Sequence, residues 1–433
     1  MLSLEQCSKK KFLVFGLGIS GDATLSQLKK NNANVECWDD NKKLREKFKN
    51  KYRVSKNWFK NSYDFIVISP GINIYTHPKK FFFQKNKNRI ITDLDLFCSS
   101  IKDQKVIMVT GTNGKSTMSK LIYDLLKNSK KKVYIGGNYG TPVMHLPYKE
   151  KSAIFVLELS SYQLDYSGRL PSSVSILLNV SPDHIERHKS FNKYISAKLR
   201  IFKGLTKRGI GFLDLSNDKE SKIFKVLKSE KYNQRNIELI RKNINHNIRD
   251  DLISPPLKGL HFKNCLYIAL QIAKLFKISK NIYLKTIKNF KGLPHRQEII
   301  KTINNLTFIN DSKATNFSST EVALNNYKNI HWIVGGLPKA KDKIMVHKYK
   351  KSILRAYIIG RNINFFLKQI KNTVKCNISY SLENAFLSAL REAKNHPNLK
   401  QVILLSPSAA SFDQYKNFEH RGNTFKQLVK KYS

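Results

Sequence analysis

VIMVTGTNGKSTMSKLI, residues 106–122, is the stretch of sequence that decides the fold. A short apolar strand leads into a loop with two glycines, and an amphipathic helix follows the loop. This order directs backbone N–H groups at one point, which is how proteins hold phosphate groups. Gly111 and Gly114 permit close approach of a phosphate. Lys115 is placed to reach the β- and γ-phosphates and Ser116 to ligate Mg²⁺, so the sequence predicts a nucleoside triphosphate site.

The loop is a shortened variant of the common P-loop. That motif has a glycine six residues before its lysine, and Val109 stands at this position here. The alternative is a glycine-rich turn that only starts a helix. The buried strand before the loop and the Lys-Ser pair after it favour the phosphate site.

Short apolar strands alternate with amphipathic segments along the whole chain, a pattern typical of parallel sheets covered on both faces. The predicted strands are residues 12–15, 35–38, 65–69, 106–109, 154–159, 174–180, 330–334, 356–360 and 401–406. We therefore predict an α/β protein. Residues 215–256 are polar and poor in strand signal, and residues 291–296 (KGLPHR) are interpreted as a hinge.

These patterns divide the chain into three predicted domains. Residues 1–93 form a Rossmann-like domain, residues 94–297 a central P-loop ATPase-like parallel-sheet domain, and residues 298–433 a second Rossmann-like domain. A chain of 433 residues is long for one compact core, which agrees with several domains.

The chain is strongly basic, with 78 Lys and Arg against 31 Asp and Glu, a formal net charge of +47. Such a field attracts polyanions, so nucleic-acid binding is one interpretation. The other is compositional drift, because lysine, asparagine and isoleucine are abundant everywhere and the densest lysine runs are short. The even spread favours drift, and we expect no specific nucleic-acid partner.

Composition also bears on location. No apolar run approaches the roughly 18 residues that a membrane span requires, so we expect no membrane insertion. The N-terminal residues lack the apolar core of a signal peptide. The five cysteines lie far apart without metal-binding spacing, which fits a reducing cytoplasm and argues against a structural metal.

A second glycine loop, GLGISG at residues 16–21, follows the first predicted strand, and Asp39 ends the next strand. This arrangement fits a dinucleotide fingerprint with Asp39 on a ribose hydroxyl. The alternative is that the glycines only tighten a turn. The turn SPGI at residues 69–72 follows the third strand, and together these features predict a nucleotide-sized ligand on the first domain.

Glu158 ends an apolar strand, where an unpaired carboxylate is costly and a cation is the natural partner. Residues 179–188 (NVSPDHIERH) follow the next strand and offer Asp183 and His184 as further ligands or supporting groups for Mg²⁺. Lys198 by itself is interpreted as a surface lysine.

Two polar loops follow strands in the third domain, NDSKATN at residues 310–316 and SPSAASFDQYKNFEHRG at residues 406–422. The alternative for each loop is that its polar residues only form a turn. If they converge with Lys339, they form a cationic, hydroxyl-rich pocket suited to a dicarboxylate.

TGTNGKST, ELSSYQLD, NVSPDHIERH, GLPHR, NDSKATN and FDQYKNFEHRG occur here in an order and spacing that resembles the Mur ligases of peptidoglycan synthesis, over residues 13–425. TGTNGKST alone is shared with folylpolyglutamate synthase. The resemblance implies a cytoplasmic enzyme, expected to be a monomer, that binds ATP and two Mg²⁺ ions. Its implied substrates are UDP-N-acetylmuramoyl-L-alanine and D-glutamate, joined through an acyl phosphate.

The resemblance also implies a role for individual residues. Lys115, His184 and Lys198 are the implied catalytic residues. The implied ATP contacts are Gly111, Thr112, Asn113, Gly114, Lys115, Ser116, Thr117, Arg296, Asp311 and Lys313. The implied contacts of the UDP-substrate are Ile19, Ser20, Asp39, Gly71 and Asn138. The implied D-glutamate contacts are Thr315, Lys339, Ser411 and Phe418. The implied metal ligands are Ser116, Glu158, His184 and a carbamylated Lys198.

Two departures from the family pattern accompany this resemblance. Near the adenine, family members have two asparagines where this chain has Phe262 and Cys265, with Asn264 one residue off. Leu337 and Pro338 replace small or acidic residues before Lys339.

Three different functions agree with parts of the sequence. A folylpolyglutamate synthase would share TGTNGKST, but the motif FDQYKNFEHRG argues against it. A basic nucleic-acid-binding module would explain the net charge, but the sequence shows no helix-turn-helix. A dehydrogenase would explain GLGISG, but it does not account for the P-loop.

Overall fold

A computed structural model describes residues 2–216, 220–229, 236–241, 248–257, 262–338 and 343–433. These residues form an α/β structure with three sheets, which confirms the predicted fold class. The chain divides into two compact units, residues 1–246 with 264–286 and residues 247–263 with 287–433. The three domain boundaries stay a prediction. Lys339, predicted for the D-glutamate pocket, lies outside the described residues.

The first sheet has five parallel strands in the order β3-β2-β1-β4-β5. Its strands are β1 (Lys11–Phe15), β2 (Asn34–Trp38), β3 (Arg53–Val54), β4 (Phe65–Ile68) and β5 (Ile90–Ile91). Its helices are α1 (Ile19–Lys30), α2 (Lys42–Phe48), α3 (Lys80–Lys85) and α4 (Asp93–Ser100). The central strand β1 forms because four consecutive apolar residues, Phe12–Phe15, are buried on both faces of the sheet.

The second sheet has six parallel strands in the order β11-β10-β9-β6-β8-β7. Its strands are β6 (Lys105–Thr110), β7 (Val133–Gly137), β8 (Ile154–Glu158), β9 (Ser172–Leu177), β10 (Leu205–Asp214) and β11 (Ile237–Ile240). The helices are α5 (Lys115–Asn128), α6 (Ser161–Tyr166), α7 (Ile185–His188), α8 (Phe191–Leu199), α9 (Glu220–Ser229), α10 (Lys263–Leu275) and α11 (Lys280–Lys288).

β11 lies in the segment that we predicted to be poor in strands. It is an edge strand that pairs only with β10, and three of its four residues are half-exposed. A half-exposed edge strand carries a weak apolar signal, which explains why the sequence pattern missed it.

The third sheet has six strands in the order β12-β13-β17-β14-β15-β16. The strands are β12 (Glu298–Ile303), β13 (Leu306–Asn310), β14 (Ile330–Gly335), β15 (Ile353–Ile359), β16 (Cys376–Tyr380) and β17 (Gln401–Leu405). The helices are α12 (Phe317–Asn326), α13 (Ile363–Ile370), α14 (Leu382–Lys394) and α15 (Phe418–Tyr432). β12 and β13 pair antiparallel, in contrast to the all-parallel pattern that the sequence indicates, and the other pairs are parallel.

The segment interpreted as a hinge is tied to the third sheet. His295 is buried, and its Nδ1 lies 3.0 Å from the Asn310 Nδ2 at the end of β13. The His295 carbonyl accepts a hydrogen bond from the Lys313 N–H. Within the described ranges, no helix is long and apolar enough to cross a membrane.

Candidate active site

One asparagine, Asn179, stabilises the glycine loop after β6 through three hydrogen bonds. The Asn179 side chain accepts from the Asn113 N–H (2.9 Å) and donates to the Asn113 carbonyl (3.0 Å), and its own carbonyl accepts from the Thr112 N–H (2.8 Å). At Gly111, a Cβ would lie 3.0 Å from the Leu178 Cβ, so a larger residue would push the loop off its support. The loop is therefore rigid before any phosphate arrives.

Two lysines meet at one carbonyl of this loop. The Lys115 Nζ donates to the Gly111 carbonyl (3.0 Å) and to the Thr112 carbonyl (2.8 Å). The Lys198 Nζ donates to the same Gly111 carbonyl at 2.7 Å, and the side chain is 1% exposed. Lys198 is thus not the surface lysine that its local sequence indicates.

Burial, and next the charge of Lys115, hold the pKa of Lys198 well below its usual value, while the more distant Asp183 and Glu158 oppose this. The neutral amine of Lys198 is favoured as a result. The charge of Lys115 therefore remains beside the loop, where it favours the binding of an anion.

Glu158 lies at the end of β8 with one satisfied and one unsatisfied oxygen. Its Oε1 accepts from the Asn138 Nδ2 at 2.7 Å, whereas its Oε2 is buried without a hydrogen-bond partner among the described residues. An unpartnered carboxylate oxygen in the interior is costly unless a cation binds it. The residue therefore fits the predicted role of a Mg²⁺ ligand.

The backbone around Glu158 is equally constrained. The Asn138 N–H donates to the Glu158 carbonyl at 2.8 Å. Gly137 has a φ of +99°, and a Cβ at this position would lie 2.3 Å from the same carbonyl oxygen. Only glycine lets β7 end this close to β8.

His184 starts α7 in a left-handed conformation, with a φ of +52°. Its Nδ1 lies 2.9 Å from the Tyr162 hydroxyl, and its Nε2 lies 3.4 Å from the Asp183 Oδ2. Ser116 is buried in the first turn of α5, directly after the glycine loop. Hydroxyl and carboxylate oxygens, here those of Ser116 and Glu158, are the ligands that Mg²⁺ prefers. Among the residues described, three or more His, Cys, Asp or Glu side chains do not gather into one metal cluster.

Asp39, predicted to bind a ribose, braces the glycine loop of the first sheet. Its Oδ2 accepts from the Leu17 N–H at 2.7 Å, and its Oδ1 accepts from the Asn41 N–H at 2.8 Å. Beside this loop, Ile19 is 80% exposed, Ser20 is half-buried, and Gly71 is exposed in the turn after β4. The structure brings these residues to the carboxyl edge of one sheet, and their contact with a nucleotide stays a prediction.

The two polar loops of the third sheet meet at Asp311. This residue is buried, and its Oδ2 accepts from the Ser406 hydroxyl at 2.7 Å while its Oδ1 accepts from the Gln297 N–H at 3.2 Å. Burial raises the pKa of Asp311 to about 7, against the opposing effect of these hydrogen bonds and of Arg296.

The predicted D-glutamate residues lie around the same convergence. The Lys313 Nζ lies 3.6 Å from the centroid of the Phe418 ring, and the Phe418 carbonyl accepts from the Ser312 hydroxyl at 2.9 Å. Ser411 is buried in the second loop, and Thr315 is half-buried in the first.

Sequence reasoning missed two residues that organise these sites. The Tyr194 hydroxyl lies 3.0 Å from the Thr112 Oγ1, and Lys198 lies over its ring. Arg421 is buried in α15 and donates to the Ser312 hydroxyl and carbonyl and to the Ala409 carbonyl. Helical spacing could have revealed both. Tyr194 precedes Lys198 by four residues, and Arg421 falls in the apolar stripe that contains Phe425 and Leu428.

A family model for the Mur ligase middle domain matches residues 109–271. The UDP-N-acetylmuramoylalanine–D-glutamate ligase of Rickettsia prowazekii is 35% identical, over 98% of this chain and 98% of that protein. The ligases of the same name from Rickettsia felis and from the Wolbachia of Brugia malayi are 36% and 33% identical, over 98% and 99% of this chain and 98% of each relative.

Solved structures share the fold at low sequence identity. MurF from Acinetobacter baumannii is similar with a TM-score of 0.59 and 13% identity, over 100% of this chain and 93% of that one. MurC from Thermotoga maritima has a TM-score of 0.55 and 13% identity, over 98% of this chain and 100% of that one.

Proposed function

The chain belongs to the family of UDP-N-acetylmuramoylalanine–D-glutamate ligases, and on this premise we propose a role for each part of its site. It is an ATP-dependent ligase of peptidoglycan precursor synthesis that joins D-glutamate to UDP-N-acetylmuramoyl-L-alanine. In the proposed course, the alanyl carboxylate attacks the γ-phosphorus of ATP and ADP leaves. The amine of D-glutamate then attacks the acyl phosphate carbon, phosphate leaves, and an amide bond is formed.

One observation carries this proposal, the convergence of Lys115 and Lys198 on the Gly111 carbonyl. The first step brings two anions together, and its barrier is mainly electrostatic. Lys115 turns from the loop carbonyls to the phosphates when ATP binds. Residues 111–117 surround the phosphates with backbone N–H groups.

Ser116, Glu158 and His184 hold Mg²⁺ in this proposal, two ions in all, together with Lys198 in carbamylated form. Bound Mg²⁺ neutralises phosphate charge. The neutral amine of Lys198, favoured by burial, adds to carbon dioxide and releases one proton, which makes a carbamate anion. Asn138, which bonds Glu158, lies beside the proposed position of the alanyl carboxylate.

The remaining assignments follow the three predicted domains. Residues 1–93 bind the UDP moiety through Ile19, Ser20, Asp39 and Gly71. Residues 94–297 bind ATP, with Arg296 at their end. In residues 298–433, Asp311 and Lys313 complete the ATP site, and Thr315, Lys339, Ser411 and Phe418 bind D-glutamate. We expect a cytoplasmic monomer.

The test is phosphate release from ATP with Mg²⁺ and UDP-N-acetylmuramoyl-L-alanine, measured with D-glutamate, with L-glutamate and without either. Release that requires D-glutamate supports the proposal. Release that is indifferent to the amino acid, or absent from the folded protein in every combination, contradicts it.

A further inference from the structure

Tyr166 and Arg187 connect the turn that follows β4 to the loop that carries His184. The Tyr166 hydroxyl donates to the Ile72 carbonyl at 3.0 Å and accepts from the Ile74 N–H at 3.2 Å. The Arg187 Nη2 donates to the same Ile72 carbonyl at 2.7 Å and to the Tyr166 hydroxyl at 2.6 Å. The turn region and the second sheet therefore share one hydrogen-bonded cluster.

The same two residues belong to a helix pair that positions His184. α6 and α7 contact each other through Tyr162, whose hydroxyl lies 2.9 Å from the His184 Nδ1. The Arg187 guanidinium carbon lies 5.0 Å from the centroid of the Tyr162 ring and 5.2 Å from that of Tyr166. The turn and the His184 loop are thus fixed to one element.

The cluster is costly to bury. Arg187 is 9% exposed, and its Nε is buried with no hydrogen-bond partner in the part of the chain that the structure describes. Packing between α6 and α7 alone does not require a buried guanidinium, since an apolar pair does this at lower cost. The guanidinium supplies one directed bond to the Ile72 carbonyl and a second to the Tyr166 hydroxyl, which itself donates to that carbonyl.

We propose that Tyr166 and Arg187 are positioning residues that fix the distance between the two ends of the UDP-substrate site. This rests on the proposed function, in which Gly71 of the turn holds the UDP end and His184 is a Mg²⁺ ligand at the end where the carboxylate reacts with ATP. Once one end of a long substrate is bound, the other binds as an intramolecular partner, and this gain requires a matched spacing. Neither residue needs to contact the substrate to set this spacing.

The experiment compares Tyr166→Phe, which deletes only the hydroxyl, with Tyr283→Phe as matched control. The Tyr283 hydroxyl belongs to a buried side chain and donates to one backbone carbonyl, that of Leu266, away from the turn. Two ligands are titrated by calorimetry, UDP alone and UDP-N-acetylmuramoyl-L-alanine, and the KM values of ATP and D-glutamate are measured alongside.

For Tyr166→Phe we expect kcat/KM for the complete UDP-substrate to fall about tenfold, with its Kd raised, while the Kd of UDP alone and the KM of D-glutamate stay within about twofold. Tyr283→Phe leaves all of these values unchanged. Arg187→Ala gives the larger loss, and Arg187→Lys, which keeps one cationic donor, recovers part of it.

Two results overturn the proposal. If the Kd of UDP alone rises by the same factor, Tyr166 only shapes the turn; if the complete substrate is unaffected, the cluster has no role in binding. Thermal unfolding of each variant separates either result from misfolding, and Arg187→Lys gives a second reading if Tyr166→Phe does not fold. A wild-type chain that does not turn over the UDP-substrate contradicts the proposed function instead, and this is seen before any variant is made.

Discussion

Charged side chains lie at a sheet edge in two regions, the loop after β6 and the pair of loops after β13 and β17. The surroundings of these side chains differ in opposite ways. At the first, Lys115 and Lys198 share a carbonyl, and burial together with the charge of Lys115 lowers the pKa of Lys198. At the second, Arg421 donates to three acceptors, and within the described ranges its Nη1 has no hydrogen-bond partner.

This difference distinguishes side chains that we propose to act on a ligand, as at the first region, from side chains that stabilise a loop, as at the second. A buried lysine that burial and a neighbouring cation keep neutral is available for chemistry and contributes little to stability. A buried charge that is hydrogen-bonded on several sides costs the fold most when it is removed. The two regions should therefore respond oppositely to substitution, in activity at the first and in stability at the second.

The largest effect is expected at Lys198. We predict that Lys198→Ala lowers kcat about 1,000-fold, because one electrostatic contact to the transition state is lost. Its free energy of unfolding stays within about 1 kcal/mol of the wild type, since the buried amine contributes little to the fold. Steady-state kinetics and urea unfolding measure the two quantities. Lys193→Ala, on the exposed side of the same helix, is the control, and a Lys198→Ala enzyme with half the wild-type rate would refute the carbamate role.

At Arg421 we expect the larger effect on stability and the smaller effect on activity. We predict that Arg421→Ala lowers the free energy of unfolding by about 3–5 kcal/mol, because it leaves buried acceptors unsatisfied and a cavity in the core. Urea unfolding measures this loss. Arg391→Ala in α14 removes an exposed arginine and should change stability by less than about 0.5 kcal/mol. Similar values for the two variants would remove the contrast between the regions.

The buried carboxyl of Asp311 makes the stability of the second region depend on pH. Its folded-state pKa of about 7 lies above the usual aspartate value of about 3.9, so between these values the folded chain keeps a proton that the unfolded chain releases. The free energy of unfolding should fall as pH rises through this window, by about 1.4 kcal/mol per pH unit relative to Asp311→Asn. Denaturation of both proteins at pH values of about 5, 6 and 7 measures the difference, and a difference that is flat or rises with pH contradicts the prediction.

The smallest effect is expected at Ser411, which sharpens the comparison within the third sheet. If its hydroxyl donates to D-glutamate, Ser411→Ala raises the KM of D-glutamate about tenfold and leaves that of ATP within about twofold. Initial rates with each substrate varied in turn test this. An equal rise in both KM values places Ser411 outside the amino-acid pocket.

The sequence predicted the glycine loop and nine of the strands because both are local patterns; these strands are β1, β2, β4, β6, β8, β9, β14, β15 and β17. β1 and β6 each contain four consecutive apolar residues, Phe12–Phe15 and Val106–Val109, and residues 110–116 combine glycine, lysine and serine at fixed spacing. The prediction missed β3, β5, β7, β10, β11, β12, β13 and β16. Several of these are half-exposed, as β11 and β12 are, and half-exposed strands carry little apolar signal.

The types of residue in the site were predictable from the sequence, whereas the residues that each of them contacts were less so. No local pattern states that Lys198 is buried against Gly111, because 87 positions separate the two residues and only the packing of α8 on the loop joins them. The same holds for Arg421 and Ser312, which are 109 positions apart. Asp39 was recognised as important, but its two bonds to backbone N–H groups depend on the distance between two loops that the sequence does not specify.

The close approach of Gly137 to the Glu158 carbonyl sets a limit on how this chain can diverge. Any side chain at position 137 would meet the backbone of β8, so this edge of the sheet tolerates no substitution, even in a chain that carries 78 Lys and Arg. If the lysine-rich composition reflects drift, we expect substitutions to be accepted on exposed helix faces and rejected where two strands end within van der Waals distance. In a scan of tolerated substitutions, we expect positions at the proposed metal-binding edge to reject substitution and the surrounding surface positions to accept it.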